Sequence, residues 1–333
     1  MTTTVNPSTE SGFDNPEATA ISFDDTTLTF TLAPLDDRQC SWAHGGSLYT
    51  LVGQDRRTVT IPDTEGLHFI YLDGETLFST QTFSSAIITD YVLTSAVYWD
   101  ADAGASIMLV DERHTNKMDA LTHWYNHATL GSRFESGFAL GDMTVGGNGS
   151  SATHAQLSVA DGVFWDEDIR HVVTDDDPQT LSTIAELPVF YRLGASAWRR
   201  VAATVYPVTT TGTGRIAYND ENGGDWQLAE VDSTDYAFSH VVATGDLRHP
   251  VIVIMGQGSY PNKPAAEAAA AVELRLMALG SLAGLTAEFV PIATVIFLAS
   301  DAYTNAVKAA IVATGTGDNY VDHRGQPARL PVS

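Results

Sequence analysis

The chain has 333 residues, of which 41 are acidic and 17 are basic, so its formal net charge at pH 7 is −24. A chain of this length is expected to form about two domains with cores that need no disulfide. The charge excludes a basic surface that would neutralise nucleic-acid phosphates, and the single cysteine, Cys40, excludes an intrachain disulfide.

The acidic composition is uneven, since Asp occurs 28 times, Glu 13 times and Lys only three times. So large a net charge opposes compaction through self-repulsion, but at molar salt the screening length falls to about 3 Å. Short hydrated carboxylates and few lysines are typical of halophilic organisms. The composition therefore predicts a protein that works in very salty water, in preference to an acidic protein of a low-salt host.

The N-terminal residues 1–19 are rich in Thr, Ser, Asn, Pro and Glu, which predicts a flexible arm. They contain neither the basic region nor the apolar stretch that begins a signal peptide. The longest apolar stretch, 278–300, is interrupted by Glu288 and Pro291. We interpret it as a helix end followed by a strand, so we expect a cytoplasmically made protein that is not inserted into a membrane.

Short strands are predicted throughout residues 20–110. Leu28, Phe30 and Leu32 alternate with threonines, the period-two pattern of a half-buried strand. The region is therefore predicted to be a β-sandwich domain. Its further predicted strands are 48–52, 57–61, 68–72, 86–88, 92–99 and 106–110.

A helix is predicted at 116–129, within a connecting segment at 111–178. Met118, Leu121 and Trp124 recur at helical spacing. The segment has too few apolar residues for a core of its own, so this helix face needs another surface to cover it. The pattern predicts that the three residues lie at a subunit contact.

Strands resume in residues 179–333, which are predicted to form a second β-sandwich-like domain. An Ala-rich helix from Pro264 to about Leu279 is inserted before a last strand at 292–298. The expected fold is therefore mainly β (α+β): two β-sandwich-like domains joined by a helix-containing segment. The two domains share an order of strands and turns, which leaves open whether they arose by duplication or resemble each other by chance.

Three histidines are candidate metal ligands. His123 and His127 lie four residues apart on one face of the predicted helix, and His114 precedes it. The helix lacks the general-base glutamate of an His-Glu-x-x-His metalloprotease. We therefore prefer the interpretation that these histidines form hydrogen bonds in a packed interface, and we predict no cofactor.

Two other groups of polar and aromatic residues have simple interpretations. The acidic run 166–168 is typical of a solvated loop. The rings of Trp198, Tyr206, Tyr218 and Trp226 could form a sugar-binding surface, although core packing is the more common role of such rings in a sandwich.

A set of short motifs resembles those of a poorly characterised family of tailed-virus virion proteins, often labelled tail-fibre-like. The similarity extends over most of the chain after the arm. The motifs that carry it are Asp111-Glu112-Arg113-His114, Met118-Asp119, Thr122-His123, His127, Gly131, Ser136-Gly137-Phe138, His154-Ala155-Gln156, Asp166-Glu167-Asp168, Pro188-Val189-Phe190-Tyr191-Arg192, Tyr218-Asn219, Pro250 and Met255-Gly256-Gln257.

The resemblance implies a structural virion protein rather than an enzyme: a tail fibre, a baseplate component or a capsid-surface protein. Together with the acidic composition, it predicts a virus with a halophilic, archaeal host. It implies a homo-oligomer, best a trimer, whose N-terminal arm binds other virion proteins and whose surface meets a host glycan or S-layer. Two alternatives stay open at this stage. One is a metal-dependent cytoplasmic enzyme that uses His114, His123 and His127, and the other is a stand-alone glycan-binding module.

Overall fold

The computed structural model describes residues 10–36, 38–175 and 177–325. Strands make up 47% and helices 13% of the structure, so the predicted mainly β fold is confirmed. The chain forms two compact units that alternate along the sequence. The first unit extends to Ser132 and includes Trp165–Arg170 and Gly245–Leu247, and the second contains Arg133–Phe164, His171–Thr244 and the residues from Arg248 onward.

These units differ from the predicted division at residues 110 and 178. The helical part of the predicted connecting segment, up to Ser132, belongs to the first unit, and so does the distant piece Trp165–Arg170. A division drawn along the sequence follows local composition, whereas compact units are defined by contacts between distant residues.

The first unit is built from three small sheets around one hydrophobic core. Their strand orders are β1-β4-β5, β2-β3-β6 and β10-β9-β7-β8. Within the described residues its strands are β1 (Gly12–Phe13), β2 (Thr19–Asp24), β3 (Thr29–Pro34), β4 (Gln39–His44), β5 (Ser47–Val52), β6 (Arg57–Thr60), β7 (Gly66–Asp73), β8 (Thr76–Thr80), β9 (Val92–Asp100) and β10 (Ala105–Asp111).

The core of the first unit contains two of the three residues that the period-two pattern placed on one face, whereas Leu28 lies before β3 and is only partly buried. In β3, Phe30 and Leu32 are fully buried while Thr31 between them is half-exposed. They pack in one cluster with Trp42, Trp99 and Phe13. Complete burial of large apolar side chains stabilises a fold by about 1.5–3 kcal/mol each.

The described part of the predicted N-terminal arm is folded, which corrects the prediction for residues 10–19. Phe13 is fully buried in the core, and β1 pairs with β4. Residues 1–9 of the predicted arm lie outside the described residues.

Two helices of the first unit also differ from their predictions. The predicted strand at 86–88 is a short helix, α1 (Ala86–Thr89), and the predicted helix at 116–129 is shorter, α2 (Ala120–Thr129). Helix α2 begins later because Asp119 caps it: its Oδ1 accepts hydrogen bonds from the backbone N–H groups of Leu121 and Thr122 at 3.1 Å.

The second unit contains a large sheet with the order β17-β16-β22-β21-β23-β24, to which β25 adds beside β23. Three smaller sheets have the orders β11-β14-β15, β12-β13 and β18-β19-β20. The strands assigned along this part of the described chain are β11 (Arg133–Gly137), β12 (Leu140–Gly141), β13 (Ser158–Val159), β14 (Gly162–Asp166), β15 (Ile169–Val173), β16 (Leu187–Leu193), β17 (Ala197–Thr204), β18 (Thr210–Thr211), β19 (Arg215–Asn222), β20 (Asp225–Glu230), β21 (Tyr236–Thr244), β22 (Val251–Met255), β23 (Phe289–Ala299), β24 (Ala309–Ile311) and β25 (Val321–Asp322).

The predicted Ala-rich helix is broken into α3 (Lys263–Ala270) and α4 (Glu273–Leu276), followed by a 3-10 segment, Gly280–Glu288. The break lets the Glu273 side chain enter a buried hydrogen-bond network with His240. Parallel pairing of β16 with β22 has no counterpart among the strand pairs described for the first unit, and duplication of the two units stays a hypothesis. No helix among the described residues is long and apolar enough to cross a membrane.

Candidate functional site

The first component of the site is the segment that follows strand β10. His114 is held by the N-terminal strand, because Phe13 N donates a hydrogen bond to His114 O at 2.8 Å and Asn116 N donates to Phe13 O at 2.9 Å. Gly12 makes this approach possible: it has φ +133°, and a Cβ there would lie 2.8 Å from His114 O. The backbone around His114 is therefore fixed from both sides.

Helix α2 supplies the second component. Its buried face consists of Ala120, His123 and His127, whereas Leu121 and Tyr125 are more than 60% exposed. Two histidines four residues apart lie one turn above the other and face the same way. The helix thus turns its polar histidine face inward and leaves apolar side chains outside.

The third component is the turn between β14 and β15, which contains Asp166, Glu167 and Asp168. The prediction of a solvated loop is wrong: the side chains of Asp166 and Glu167 are 2% and 0% exposed. Glu167 has φ +43°, in the left-handed region that non-glycine residues adopt at a cost of about 1–3 kcal/mol. The turn is strained in the conformation that directs this carboxylate inward.

These components meet around the Nε2 atom of His114. This atom lies 3.3 Å from Glu167 Oε2, 3.7 Å from Glu112 Oε2 and 3.8 Å from Asp166 Oδ2. His123 Nε2 lies 3.9 Å from Glu167 Oε2, and the rings of His114 and His123 are 4.2 Å apart between centres. We refer to these five side chains as the histidine–carboxylate centre.

Asp168 orients the first of these histidines. The Nδ1–H group of His114 donates a hydrogen bond to Asp168 Oδ1 at 2.8 Å, and the other oxygen of Asp168 accepts from the backbone N–H and the hydroxyl of Thr115. In the neutral form of the ring, a proton on Nδ1 leaves Nε2 as the lone-pair nitrogen. Asp168 therefore directs a basic nitrogen into the centre.

Several buried polar atoms of the centre have no hydrogen-bond partner. They are His114 Nε2, His123 Nε2, Glu112 Oε2 and both carboxylate oxygens of Glu167. Each unsatisfied buried polar group costs about 1–3 kcal/mol, and more if it is charged. Such a concentration in one place is not expected from packing alone.

The buried charges perturb one another strongly. Burial, followed by the charge of Asp166, raises the pKa of Glu167 to about 10, and burial raises the pKa of Glu112 to about 7. Burial alone would lower the pKa of His114, but its hydrogen bond to Asp168 and the nearby carboxylates of Glu112, Glu167 and Asp166 outweigh this and hold it well above the usual value. Burial lowers the pKa of His123 well below its usual value.

Two overlapping sets of three ligand atoms in the centre are close enough to hold one metal ion: His114, His123 and Glu167, or Glu112, His114 and Asp166. Imidazole and carboxylate are ligands that zinc accepts. Each donor side chain is less than 10% exposed, so the five side chains of the centre are buried from solvent.

The structure brings the three sequence-predicted histidines together. His127 lies beside the centre, with its Nδ1 atom 3.6 Å from Glu167 Oε1, and its ring is 5.4 Å from that of Phe83. The predicted interpretation required hydrogen bonds in a packed interface. His114 Nε2 and His123 Nε2 are buried in the first unit and form no hydrogen bond, whereas His114 Nδ1 forms one with Asp168.

The residues that were predicted to form a subunit contact are separated by the structure. Leu121 is 63% exposed, whereas Met118 and Trp124 are half-buried, and the Trp124 ring lies 6.2 Å from that of Phe83. The exposed apolar face of α2 is instead formed by Leu121 and Tyr125. Helical spacing alone could not show that α1 and its flanking residues already cover part of the predicted face.

Sequence analysis missed the carboxylates of the centre, Glu112, Asp166 and Glu167. A signal was available in the sequence: Asp111-Glu112 and Asp166-Glu167-Asp168 belong to the same set of motifs as the histidines. The aromatic residues considered for sugar binding belong to the second unit, where Trp198 is fully buried and its Nε1 donates a hydrogen bond to Leu279 O at 2.7 Å. Trp226 lines a cavity of about 410 Å³ and lies 4.5 Å below the guanidinium of Arg192.

Comparison with family models, with curated proteins and with solved structures finds no significant match to this chain.

Proposed function

We propose that this chain is a non-enzymatic structural component of the particle of a tailed virus, such as a tail-fibre, baseplate or capsid-surface protein. One observation carries the proposal. Motif residues that resemble those of tailed-virus virion proteins, although separated by more than 50 positions between His114 and Glu167, meet in one buried centre. The shared motifs therefore encode a feature of the folded protein.

The burial of the centre supports a structural role. Side chains that bind and transform a substrate have to be reachable from solvent, whereas those of Glu112, His114 and Glu167 are at most 3% exposed. Residues this deeply buried act on the stability of the fold. A particle protein that has to survive outside a cell gains from such a centre.

The exposed face of α2 supports assembly into a homo-oligomer, for which a trimer is the preferred state. Leu121 and Tyr125 present two large side chains to solvent on adjacent turns. Repeated contacts in closed rings are the usual way in which one chain builds a symmetric assembly. We further propose that residues 1–9 bind other virion proteins and that the particle surface contacts a host glycan or S-layer.

Labelling of purified particles tests the proposed location. Gold-conjugated antibody against this chain should mark one recurrent position on each particle, and the same antibody absorbed with the purified protein should mark none. Mass spectrometry of the particles should find the chain at a fixed ratio to the major capsid protein. If the chain stays in the soluble lysate while purified particles lack it, the proposal is wrong.

The net charge of −24 supports a host that lives in strong salt. Self-repulsion should be screened as the Debye length falls from about 10 Å at 0.1 M to about 3 Å or less at molar salt. The melting temperature should therefore rise between about 0.1 M and about 3 M KCl. Equal melting temperatures at the two salt concentrations would contradict the halophilic assignment.

A further inference from the structure

The histidine–carboxylate centre contains acceptor atoms without donors. When the two glutamates are ionised, Glu112 Oε2 and both oxygens of Glu167 are buried acceptors. His114 Nε2 is another when the ring is neutral and its proton lies on Nδ1, in the hydrogen bond with Asp168. Acceptors that face one another repel unless a cation lies between them. Within the described part of the chain, Glu167 makes ion pairs with histidines, namely His114, His123 and His127.

The distances between these atoms distinguish hydrogen bonding from binding to a shared metal ion. Protons shared in hydrogen bonds would bring nitrogen and oxygen to about 2.7–3.2 Å. Ligand atoms bound at about 2.1 Å to one tetrahedral ion lie about 3.4 Å from each other. The separations around His114 Nε2 and His123 Nε2 are 3.3, 3.7, 3.8 and 3.9 Å, which fits the spacing of ligands around a shared ion.

The surroundings of the ligand atoms fit the same assignment. A metal-binding histidine usually donates its other N–H group to a carboxylate, which fixes the ring and strengthens the ligand. His114 does this with Asp168 at 2.8 Å. The capped start of α2 at Asp119 fixes the helix that carries His123, so two ligands are held before an ion arrives.

We propose that the first unit binds one divalent transition-metal ion through His114 Nε2, His123 Nε2 and Glu167, with Glu112 or Asp166 as the fourth ligand. Zinc is the best match, because it binds imidazole and carboxylate ligands in tetrahedral geometry. Calcium and magnesium prefer sites made of oxygen ligands only. The ion joins the end of β10, helix α2 and the β14–β15 turn. This proposal does not depend on the virion assignment.

The test uses the full chain, purified without a histidine tag, stripped with EDTA and then exposed to Zn²⁺ before gel filtration. Elemental analysis should find about one zinc per chain. Cobalt bound in place of zinc should give the visible absorption of a tetrahedral Co²⁺ site, a readout that needs no variant. A large excess of Ca²⁺ or Mg²⁺ should displace neither ion.

The variants His123→Gln and Glu167→Gln remove one ligand each and should weaken zinc binding at least about 100-fold, since even an indirect contact to a ligand accounts for about 10–100-fold. The matched control is His68→Gln. It makes the same substitution at a fully buried histidine of the first unit, whose Nε2 already lies 2.9 Å from Thr64 O, and it should retain the zinc.

The proposal is overturned if the wild-type chain leaves gel filtration without zinc and shows no Co²⁺ spectrum. It is also overturned if Ca²⁺ displaces the bound ion, or if His123→Gln retains as much zinc as His68→Gln. Should a ligand variant fail to fold, the stoichiometry and the Co²⁺ spectrum of the wild-type chain decide the result.

Discussion

His114 in the first unit and His240 in the second are both almost completely buried, but their ring nitrogens have different surroundings. His240 Nδ1 lies 2.8 Å from Thr294 Oγ1, and its Nε2 lies 3.1 Å from Glu273 Oε1. Thr294 Oγ1 is also 2.8 Å from His323 Nε2. Both nitrogens of His240 are therefore satisfied by the protein, whereas Nε2 of His114 is not.

The carboxylates of the two regions differ in the same way. Glu273 accepts hydrogen bonds from the N–H of Gln257 at 2.7 Å and from the hydroxyl of Tyr260, so its oxygens have donors. Those of Glu167 have none. A histidine beside a glutamate is thus insufficient to indicate a metal site. What distinguishes the two regions is whether the nitrogen and oxygen atoms that could bind a metal already have hydrogen-bond partners within the protein.

Removal of zinc should have the largest effect and should be confined to the first unit. Free zinc at about 1,000 times its dissociation constant stabilises the folded form by about 4 kcal/mol. We expect EDTA to accelerate amide hydrogen exchange in α2 and in the β14–β15 turn, while β21 and β23 exchange as before. Equal acceleration in both regions would contradict the conclusion that the His114 region needs a metal ion and the His240 region does not.

Acidification should destabilise the second unit because His323 takes up a proton on unfolding. Burial, with smaller contributions from His240 and Arg275, lowers the pKa of His323 to about 4, against about 6.5 in the unfolded chain. The folded form therefore binds fewer protons, so its stability is complete above about pH 6.5 and falls by about 3 kcal/mol as the pH approaches 4.

The matched variant for this prediction is His323→Gln, which removes the titrating group. Hydrogen exchange at β23 between about pH 7 and pH 4, corrected for the intrinsic exchange rate, should show a shallower loss of protection in this variant than in the wild-type chain. Parallel pH profiles for the two proteins would contradict the assignment of the effect to His323. Zinc release from the first unit affects both proteins equally and cancels in the difference.

Replacement of Glu273 by glutamine tests the His240 region of the second unit, where the buried polar atoms have hydrogen-bond partners. The amide side chain would keep the shape but lose the charge-assisted hydrogen bonds to His240 and Tyr260, so Glu273→Gln should destabilise the second unit by about 1.5–3 kcal/mol. The zinc content of this variant should equal that of the wild-type chain. A loss of zinc together with a loss of stability would mean that the two regions are not independent.

The smallest effect on stability is expected at the outer face of α2. Leu121 is 63% exposed, so Leu121→Glu should change the unfolding free energy of the isolated chain by no more than about 0.5 kcal/mol. If this face is a subunit contact, light scattering at high salt should show a smaller mass for the variant. Thr122→Glu, at an exposed polar position of the same helix, is the matched control and should keep the wild-type mass.

Part of the candidate site was predictable. The spacing of His123 and His127 placed both on one helix face, because a helix repeats every 3.6 residues wherever it lies. The same argument predicted the inward residues Phe30 and Leu32 of β3. It could not show that Trp124 lies beside Phe83 while Leu121 is exposed, because periodicity identifies which residues share a face but not which face another element covers.

The sequence by itself determined the mainly β class, most of the strands in the first 110 residues and the position of helix α2, since these depend on the local alternation of apolar and polar side chains. Only the tertiary structure decided that the side chains of Asp166 and Glu167 are buried, that residues 10–19 are folded and that Glu167 faces His114. Burial and the pairing of polar atoms depend on residues far apart in sequence. For the same reason, sequence could not separate His114, whose Nε2 has no partner, from His240, whose nitrogens both have one.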